Sequence, residues 1–370
     1  MTTQAMTTQQ RRNAHPYHMH DAMHGQPEAI ARILDEETPA VRELANLVDA
    51  ADRLHVVGIG SSWHASLVGE HLLRRVGHRE DARAWNSFEF CTYPPDLSSR
   101  DLVIVVTHSG RKRYSVQALE NARSAGARTA VVTGIGSDAR ADLADVVVRT
   151  STRDPSAAHT ICHTTAMTVL AMVATEVGKR NRSADTQTIE SALGQLPERV
   201  ADALALEGAI QEWAGAAAEF QRYYFAGWGP NAVTAYEVAL KIKESSYRVT
   251  EGFQLEQYLH GPFVATDEGC LVTFIAPPGP AQLRTADLIE AATTVGAQTA
   301  AILEHGDQTL SKLVHTAVYM PKTPEPLTPI VYLVPLQLFT YWLAVEAKRN
   351  PDTFRWDDPK HLAARQGYEF

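Results

Sequence analysis

Hydroxyl and basic side chains follow an uninterrupted apolar segment in the first half of the chain. Leu102–Val106 has the composition of a strand that is buried on both faces, and Thr107–Gly110 comes directly after it. A helical pattern then begins, so that free N–H groups, the hydroxyls of Thr107 and Ser109 and the charge of Lys112 meet at one strand end. This combination suits a phosphate group, although a serine in this position is also a common helix cap.

A second hydroxyl-rich segment follows an earlier apolar run. Leu54–Gly58 reads as another strand, and Gly60, Ser61 and Ser62 come after it. Because ligands of open α/β sheets bind at the carboxyl ends of the strands, we expect both segments to border one site. The glycine spacing is not Gly-x-Gly-x-x-Gly, so a dinucleotide site is not predicted.

Strands that alternate with helices would bring these segments together. Apolar runs lie at 54–58, 102–106 and 129–133 in the first half, with helical patterns at 64–76 and 116–125. The second half repeats this pattern, with runs at 222–226, 270–276, 299–303 and 316–320 and a helical pattern at 232–247. We therefore predict an α/β fold of two doubly wound parallel sheets, joined by a helical segment at about 181–207.

These patterns divide the chain into four predicted regions. They are an N-terminal tail and helix at 1–40, a first α/β domain at 41–195, a second at 205–348 and a C-terminal tail at 349–370.

Composition narrows the range of partners. The chain has 34 Lys and Arg against 43 Asp and Glu, a net charge of −9, which argues against nucleic acid and anionic membranes as partners but permits a small anion.

The cysteines Cys91, Cys162 and Cys270 are far apart, so we expect reduced thiols rather than disulfides or a zinc cluster. The N-terminus has no apolar signal core, and the apolar stretch Pro329–Ala347 contains polar residues. We predict a buried helix there and a cytoplasmic protein.

Motifs in both halves resemble the sugar isomerase (SIS) domain family. The matching segments are Gly60–His64, Thr107–Gly110, Ala239–Tyr247, His260–Pro262 and Pro329–Gln337. The most specific is Ala-Leu-Lys-Ile-Lys-Glu-Ser-Ser-Tyr at 239–247, which is similar to the family's Ala-Leu-Lys-x-Lys-Glu-x-Ser-Tyr. The resemblance covers about residues 15–365. Within the family, the chain more closely resembles the isomerase half of glucosamine–fructose-6-phosphate aminotransferase. It implies two tandem flavodoxin-like SIS domains followed by a C-terminal tail.

The resemblance implies a site for a sugar 6-phosphate. Its binding residues would be Ser61, Ser62, Thr107, His108, Ser109, Lys112 and His159. Three of these depart from the family pattern, since His108 replaces a glutamine, Lys112 a threonine and His159 a serine. The charge of Lys112 still suits a phosphate.

Two residues of the second half match catalytic positions of the family. Glu244 matches the carboxylate that moves a proton between carbons 1 and 2, and His260 matches a histidine that assists ring opening from the partner subunit. The family therefore implies a homodimer with shared active sites. A carboxylate can take a proton from carbon if desolvation raises its pKa. Without the motif, Glu244 would be interpreted as a surface residue paired with Lys241 or Lys243.

Other departures limit the chemistry. No glutaminase domain with an N-terminal cysteine nucleophile is present in this sequence, so glutamine hydrolysis is not expected. Ala364 stands where the family has an imine-forming lysine, with Arg365 beside it. The histidines His108, His159 and His163 have the spacing of no known metal motif, so we expect no metal and no cofactor.

The sequence leaves three functions open. The leading prediction is an enzyme that acts on a hexosamine or related hexose 6-phosphate by abstracting the carbon-2 proton, as an isomerase or deaminase. The first alternative is a dehydratase (lyase) that eliminates water from an N-acetylhexosamine 6-phosphate, which needs no imine lysine. The second is a non-catalytic sugar-phosphate sensor, against which the retained Glu244 and His260 argue.

Overall fold

The first half of the chain folds around a five-stranded parallel sheet. The computed structural model describes residues 12–137, 139–181 and 183–367. The strands are β1 (Arg53–Gly58), β2 (Ala82–Asn86), β3 (Asp101–Val106), β4 (Arg128–Thr133) and β5 (Val146–Arg149). Their order is β2-β1-β3-β4-β5, with every neighbouring pair parallel. This is the order of flavodoxin-like sheets.

The second half repeats the arrangement. Its strands are β6 (Arg222–Gly227), β7 (Thr250–Gln254), β8 (Cys270–Ile275), β9 (Gln298–Glu304) and β10 (Thr316–Met320). The order β10-β9-β8-β6-β7 is the first sheet's order read from the opposite edge. The prediction of two copies of one parallel α/β unit is therefore confirmed.

Helices cover both faces of the sheets and connect the two halves. They are α1 (His18–His24), α2 (Gln26–Glu36), α3 (Thr38–Ala50), α4 (Ser61–Arg75), α5 (Ser87–Thr92), α6 (Arg113–Ser124), α7 (Ile161–Arg180), α8 (Thr186–Gly194), α9 (Leu196–Leu204), α10 (Glu207–Ala216), α11 (Asn231–Ser246), α12 (Leu255–Leu259), α13 (Gln282–Thr294), α14 (Thr328–Val331), α15 (Leu333–Glu346) and α16 (Pro359–Arg365). The segment expected to join the halves is helical, as predicted.

The core is continuous between the halves. Helix α4 packs against α7, α11 packs against α15, and α4 also contacts α11. The segments Ile161–Arg180 and Glu325–Glu346 are long and apolar enough to cross a membrane, but 89% and 94% of their apolar windows are buried inside the protein. Such burial explains their composition, and the predicted buried helix at Pro329–Ala347 is confirmed.

One glycine in each half sets the turn from strand to helix. A Cβ on Gly58, at the end of β1, would lie 2.3 Å from the carbonyl oxygen of Ser62. A Cβ on Gly227, at the end of β6, would lie 2.3 Å from the carbonyl oxygen of Asn231. Only glycine permits such a close approach, so α4 and α11 begin directly above the strand ends.

Candidate active site

A cavity of about 490 Å³ lies at the carboxyl edge of the first sheet and is closed on one side by α11. Its lining includes all the predicted site residues except His260, namely Ser61, Ser62, Thr107, His108, Ser109, Lys112, His159 and Glu244. Ligands of open α/β folds bind at this edge of the sheet. We therefore take this cavity as the candidate active site.

The loop after β3 presents hydroxyl groups to the cavity. Thr107 is buried, and its Oγ1 has no hydrogen-bond partner in the described part of the chain. Ser109 is exposed, and its Oγ accepts a 3.4 Å hydrogen bond from the Arg111 N–H. Gly110 adopts a left-handed conformation with φ of 66°, and helix α6 begins after it at Arg113, slightly before the predicted pattern at 116–125. Ser109 therefore belongs to a loop before the helix.

The start of α4 links the two domains. The Ser61 hydroxyl donates to Oε1 of Glu237 on α11 at 2.8 Å, and Nδ1 of His64 lies 2.6 Å from Oε2 of the same carboxylate. Nδ1 of His163 lies 2.9 Å from the carbonyl oxygen of Ser61. Ser61 thus holds the domains together, while Ser62 lines the cavity beside it.

Helix α11 carries a charged face that is buried. Glu237, Lys241 and Glu244 are spaced by four and three residues, which places them on one side of the helix. The Lys241 side chain is 2% exposed, forms a close ion pair with Glu244 and lies 3.7 Å from Glu237. Lys241 and Glu244 line the cavity. The pairing of Glu244 with Lys241 therefore exists, but in the cavity wall rather than on the surface.

Burial and charge give these groups different proton affinities. Burial raises the pKa of Glu244, although the charge and hydrogen bond of Lys241 oppose this rise. Burial acts in the same sense on Glu237, but the nearby His163, Lys241 and His64 outweigh it and lower the pKa of Glu237 overall. Burial would lower the pKa of Lys241, and the two carboxylates raise it instead. Glu244 is therefore the member of this network best suited to proton transfer.

Two histidines of the cavity, His108 and His159, are neutral near pH 7. Burial lowers the pKa of His108 to about 4 and, with the nearby Lys241, that of His159 to about 3. The ring centroids of His108 and His159 lie 5.8 Å apart, and Nε2 of His108 accepts a 3.3 Å hydrogen bond from the Asp154 N–H. These rings offer hydrogen bonds or lone pairs to a ligand, but no positive charge.

The C-terminal tail completes the cavity. Phe354, Trp356 and Arg365 belong to the lining, and the Arg365 guanidinium lies over the Phe354 ring at 4.6 Å and the Trp356 ring at 5.4 Å. Nη2 of Arg365 donates to the Phe354 carbonyl at 2.5 Å. Ala364, the position of the family's imine-forming lysine, is exposed and is not part of the lining.

His260 lies apart from the cavity of its own chain. Its side chain is 68% exposed, and its Nε2 is 3.3 Å from a carboxylate oxygen of Glu256. The expectation that this histidine serves the site of a partner subunit stays a prediction.

Several residues of the cavity and of the charged network on α11 were not predicted as site residues from the sequence. Lys241 and Glu237 could have been identified, because they share a helical face with Glu244. By contrast, Arg12 and Arg365 come from opposite ends of the described chain, and only tertiary packing brings both to the cavity.

The sequence matches the SIS domain twice, at residues 47–176 and 218–347. The chain belongs to the SIS domain family. Each match contains one of the two parallel sheets, so the predicted family and its tandem arrangement are both confirmed.

Curated relatives of this SIS protein include one kind of enzyme from two organisms. Glutamine–fructose-6-phosphate aminotransferase (isomerizing) of Pyrococcus horikoshii is 33% identical over 340 residues, which cover 91% of this chain and 55% of that protein. The enzyme of Thermus thermophilus is 29% identical over 359 residues, covering 94% of this chain and 58% of that protein. The chain thus spans little more than half the length of these relatives.

Solved structures share the fold. The C-terminal domain of glucosamine–fructose-6-phosphate aminotransferase from Francisella tularensis has a TM-score of 0.83 at 18% identity, covering 92% of this chain and 99% of that one. Tagatose-6-phosphate ketose/aldose isomerase from Escherichia coli has a TM-score of 0.77 at 19% identity, covering 93% and 96%. Glucosamine-6-phosphate deaminase from Thermotoga maritima has a TM-score of 0.73 at 20% identity, covering 91% and 97%.

Proposed function

We propose that this SIS protein is an enzyme that abstracts the carbon-2 proton of a hexosamine or related hexose 6-phosphate, in an isomerase or deaminase reaction. The observation that carries the proposal is Glu244, a buried carboxylate with a raised pKa that is paired with Lys241 in the cavity wall. The names of the related proteins describe aminotransferase, deaminase and isomerase reactions of sugar 6-phosphates, which supports the same substrate class.

The first domain would hold the phosphate. Thr107 supplies a hydroxyl with an unused donor among the described residues, Ser109 supplies an exposed hydroxyl, and Lys112 supplies a cation within the same lining. Hydroxyl donors combined with a positive charge are well suited to a phosphate dianion. This arrangement leaves carbons 1 and 2 of the open-chain sugar to face α11.

The second domain would carry out the proton transfer. Glu244 takes the carbon-2 proton, and the electron pair of that bond moves toward the carbonyl at carbon 1. The Lys241 ammonium, fixed beside Glu244, stabilises the negative charge that develops on oxygen. Return of the proton to carbon 1, with transfer of the carbon-2 hydroxyl proton to the carbon-1 oxygen, gives a ketose. Where carbon 2 bears an amine, water then hydrolyses the resulting imine and releases ammonia.

The C-terminal tail supports one alternative reaction. Arg365, not Ala364, reaches the cavity, and an arginine that remains protonated cannot form an imine with the sugar. The same carbon-2 carbanion can instead expel the carbon-3 oxygen as water, which retains an acetylated nitrogen. A dehydratase (lyase) acting on an N-acetylhexosamine 6-phosphate is therefore the second candidate, and a sensor without catalysis is the outcome if neither reaction occurs.

Hydrogen exchange at carbon 2 tests the proposal. The full chain is incubated in deuterated water with glucose, glucosamine or N-acetylglucosamine 6-phosphate, and exchange is followed by NMR. Ammonia release with a ketose product supports a deaminase, whereas an unsaturated product that retains nitrogen supports a dehydratase. If no hexose or hexosamine 6-phosphate loses its carbon-2 hydrogen, the proposed chemistry is wrong.

We also propose a homodimer in which His260 completes the partner's cavity. The exposed position of His260, outside its own cavity, supports this arrangement. Mixing two inactive variants, Glu244→Gln and His260→Ala, should restore activity, because hybrid dimers contain one site with neither substitution. No recovery after mixing under conditions of subunit exchange, together with a light-scattering mass of one chain, would contradict the shared site.

A further inference from the structure

The loop after β5 and the first turn of α7 bring three metal-binding side chains together. A carboxylate oxygen of Asp154, a ring nitrogen of His159 and the Sγ of Cys162 all lie within 4.8 Å of one another. All three residues line the cavity, and Asp154 and Cys162 are 3% and 7% exposed. The spacing of the histidines did not predict this cluster, because only one of its three ligands is a histidine and the others are a carboxylate and a thiol.

The hydrogen bonds around the cluster orient the donors. The backbone N–H groups of Ser156 and Thr160 donate to the two carboxylate oxygens of Asp154 at 2.9 and 3.1 Å. A carboxylate held in this way keeps lone pairs for a cation, and metal-binding carboxylates commonly have such supporting bonds. Nδ1 of His159 is buried and has no hydrogen-bond partner within the described ranges. The cluster therefore contains an oriented carboxylate and an imidazole with an unused nitrogen.

The surroundings favour a cation over an empty polar cluster. Burying polar groups that lack partners is unfavourable, and a bound metal would satisfy them. Cys162 is the second residue of the 20-residue helix α7, which places its Sγ beside Asp154 and His159. The nearby ammonium of Lys241 is paired with Glu237 and Glu244, and Lys112 and Arg153 also line the cavity.

We propose that Asp154, His159 and Cys162 bind a divalent transition metal of the zinc class. Oxygen, nitrogen and sulfur donors together suit zinc or cobalt rather than magnesium or calcium. Three protein ligands leave a coordination position for a water or a substrate. Such a metal would lie in the same cavity as Glu244 and act as a Lewis acid there. Binding of the metal does not depend on the proposed sugar reaction.

Cobalt is the probe, because a thiolate ligand gives Co²⁺ an intense near-ultraviolet charge-transfer band. A surface cluster of His20, His24 and Glu207 also has its ligand atoms within 4.8 Å, so all titrations use a His24→Ala background. That cluster has no sulfur and cannot produce the band. We expect reduced, metal-free full-length protein to bind one equivalent of Co²⁺ with the band, and Zn²⁺ to displace it.

Variants locate the metal. Cys162→Ser should abolish the band, and His159→Ala should weaken Co²⁺ binding by about tenfold or more, as loss of a ligand or its support does. Cys270→Ser, a change at a buried thiol of the second sheet, should leave both unchanged. Circular dichroism establishes that each protein is folded. If Cys162→Ser does not fold, His159→Ala alone decides whether the metal binds at this cluster.

Two results would overturn the metal site. They are a folded parent protein that gives no thiolate band with Co²⁺, and a band that survives both Cys162→Ser and His159→Ala. The test is separate from that of the proposed function. If carbon-2 exchange occurs but no metal binds, only the metal site is rejected. If the metal binds but neither the metal-loaded nor the metal-free protein exchanges the carbon-2 hydrogen, only the proposed reaction is rejected.

Discussion

Glu244→Gln is the sharpest perturbation of the site, because it removes a base while retaining the size of the side chain. Lys241 keeps Glu237 at 3.7 Å and gains the amide oxygen of the new glutamine as a hydrogen-bond acceptor. Breaking a buried ion pair by removing one partner costs about 3–5 kcal/mol. Since Lys241 retains a carboxylate, the loss in unfolding free energy should fall below that range, and the variant should fold.

The expected loss of rate is much larger than any loss of binding. A positioned general base contributes about 10²–10⁴ to the rate, which corresponds to roughly 3–5 kcal/mol of transition-state stabilisation. The loss should appear in kcat, because the substitution does not alter the residues of the first domain that are proposed to bind the phosphate. Substrate affinity should change by only a few fold.

The assay combines turnover with carbon-2 exchange, and Glu290→Gln on the exposed face of α13 is the matched control. Because burial raises the pKa of Glu244, the wild-type rate should rise with pH through a value above the ordinary glutamate range. The variant should lack this limb. A kcat of Glu244→Gln within tenfold of the wild-type kcat, or the same rise of its rate with pH, would refute the assignment of Glu244 as the base.

Three further predictions concern binding and the fold. Glucosamine 6-phosphate should raise the melting temperature more than glucosamine does, and Ser109→Ala should reduce that difference; an unchanged difference would misplace the phosphate. Hydrogen bonds from Arg53 and Ser98 overcome burial and lower the pKa of Asp101 from 3.8 to about 2, so its stabilisation is full above pH 4 and is lost as pH falls toward 2. Urea unfolding of Asp101→Asn should therefore show a loss of about 2 kcal/mol at pH 7 that shrinks below pH 4, and a constant loss would contradict the linkage. Gly58→Ala should destabilise the protein by about 1–3 kcal/mol through its 2.3 Å clash, whereas Gly208→Ala, with open space around the new Cβ, should not; equal effects would reject the clash.

Most of the fold could be predicted because its central elements have simple patterns. Strand β3 is buried at every position, and its uninterrupted apolar sequence has no other simple interpretation. Three edge strands, β2, β5 and β7, were not located. Strands β2 and β7 contain exposed polar residues such as Arg83 and Glu251, and β5 has only four residues. The remaining edge strand, β10, was predicted from its apolar run.

The candidate site was predictable where its residues follow a strand or share a helix. Thr107 and Ser109 follow β3, and Glu244 lies in a specific motif of α11. The cluster of Asp154, His159 and Cys162 depends on the course of a loop, which residue spacing does not determine. The placement of Arg365 depends on packing of the tail against Phe354 and Trp356, and no local pattern specifies such a contact.

The hydrogen bonds from α4 to Glu237 link the two halves through a buried carboxylate. A fragment restricted to the second sheet and its helices would keep Glu237, Lys241 and Glu244 but lose Ser61 and His64, which satisfy the innermost carboxylate. The face of α11 that contacts α4 would then be exposed, with the two carboxylates and the one ammonium group of these residues. Although the chain is a tandem repeat of one domain, we therefore expect that splitting it between the halves would separate Glu244 from the hydroxyl groups of Thr107 and Ser109, so that neither product contains the whole candidate site.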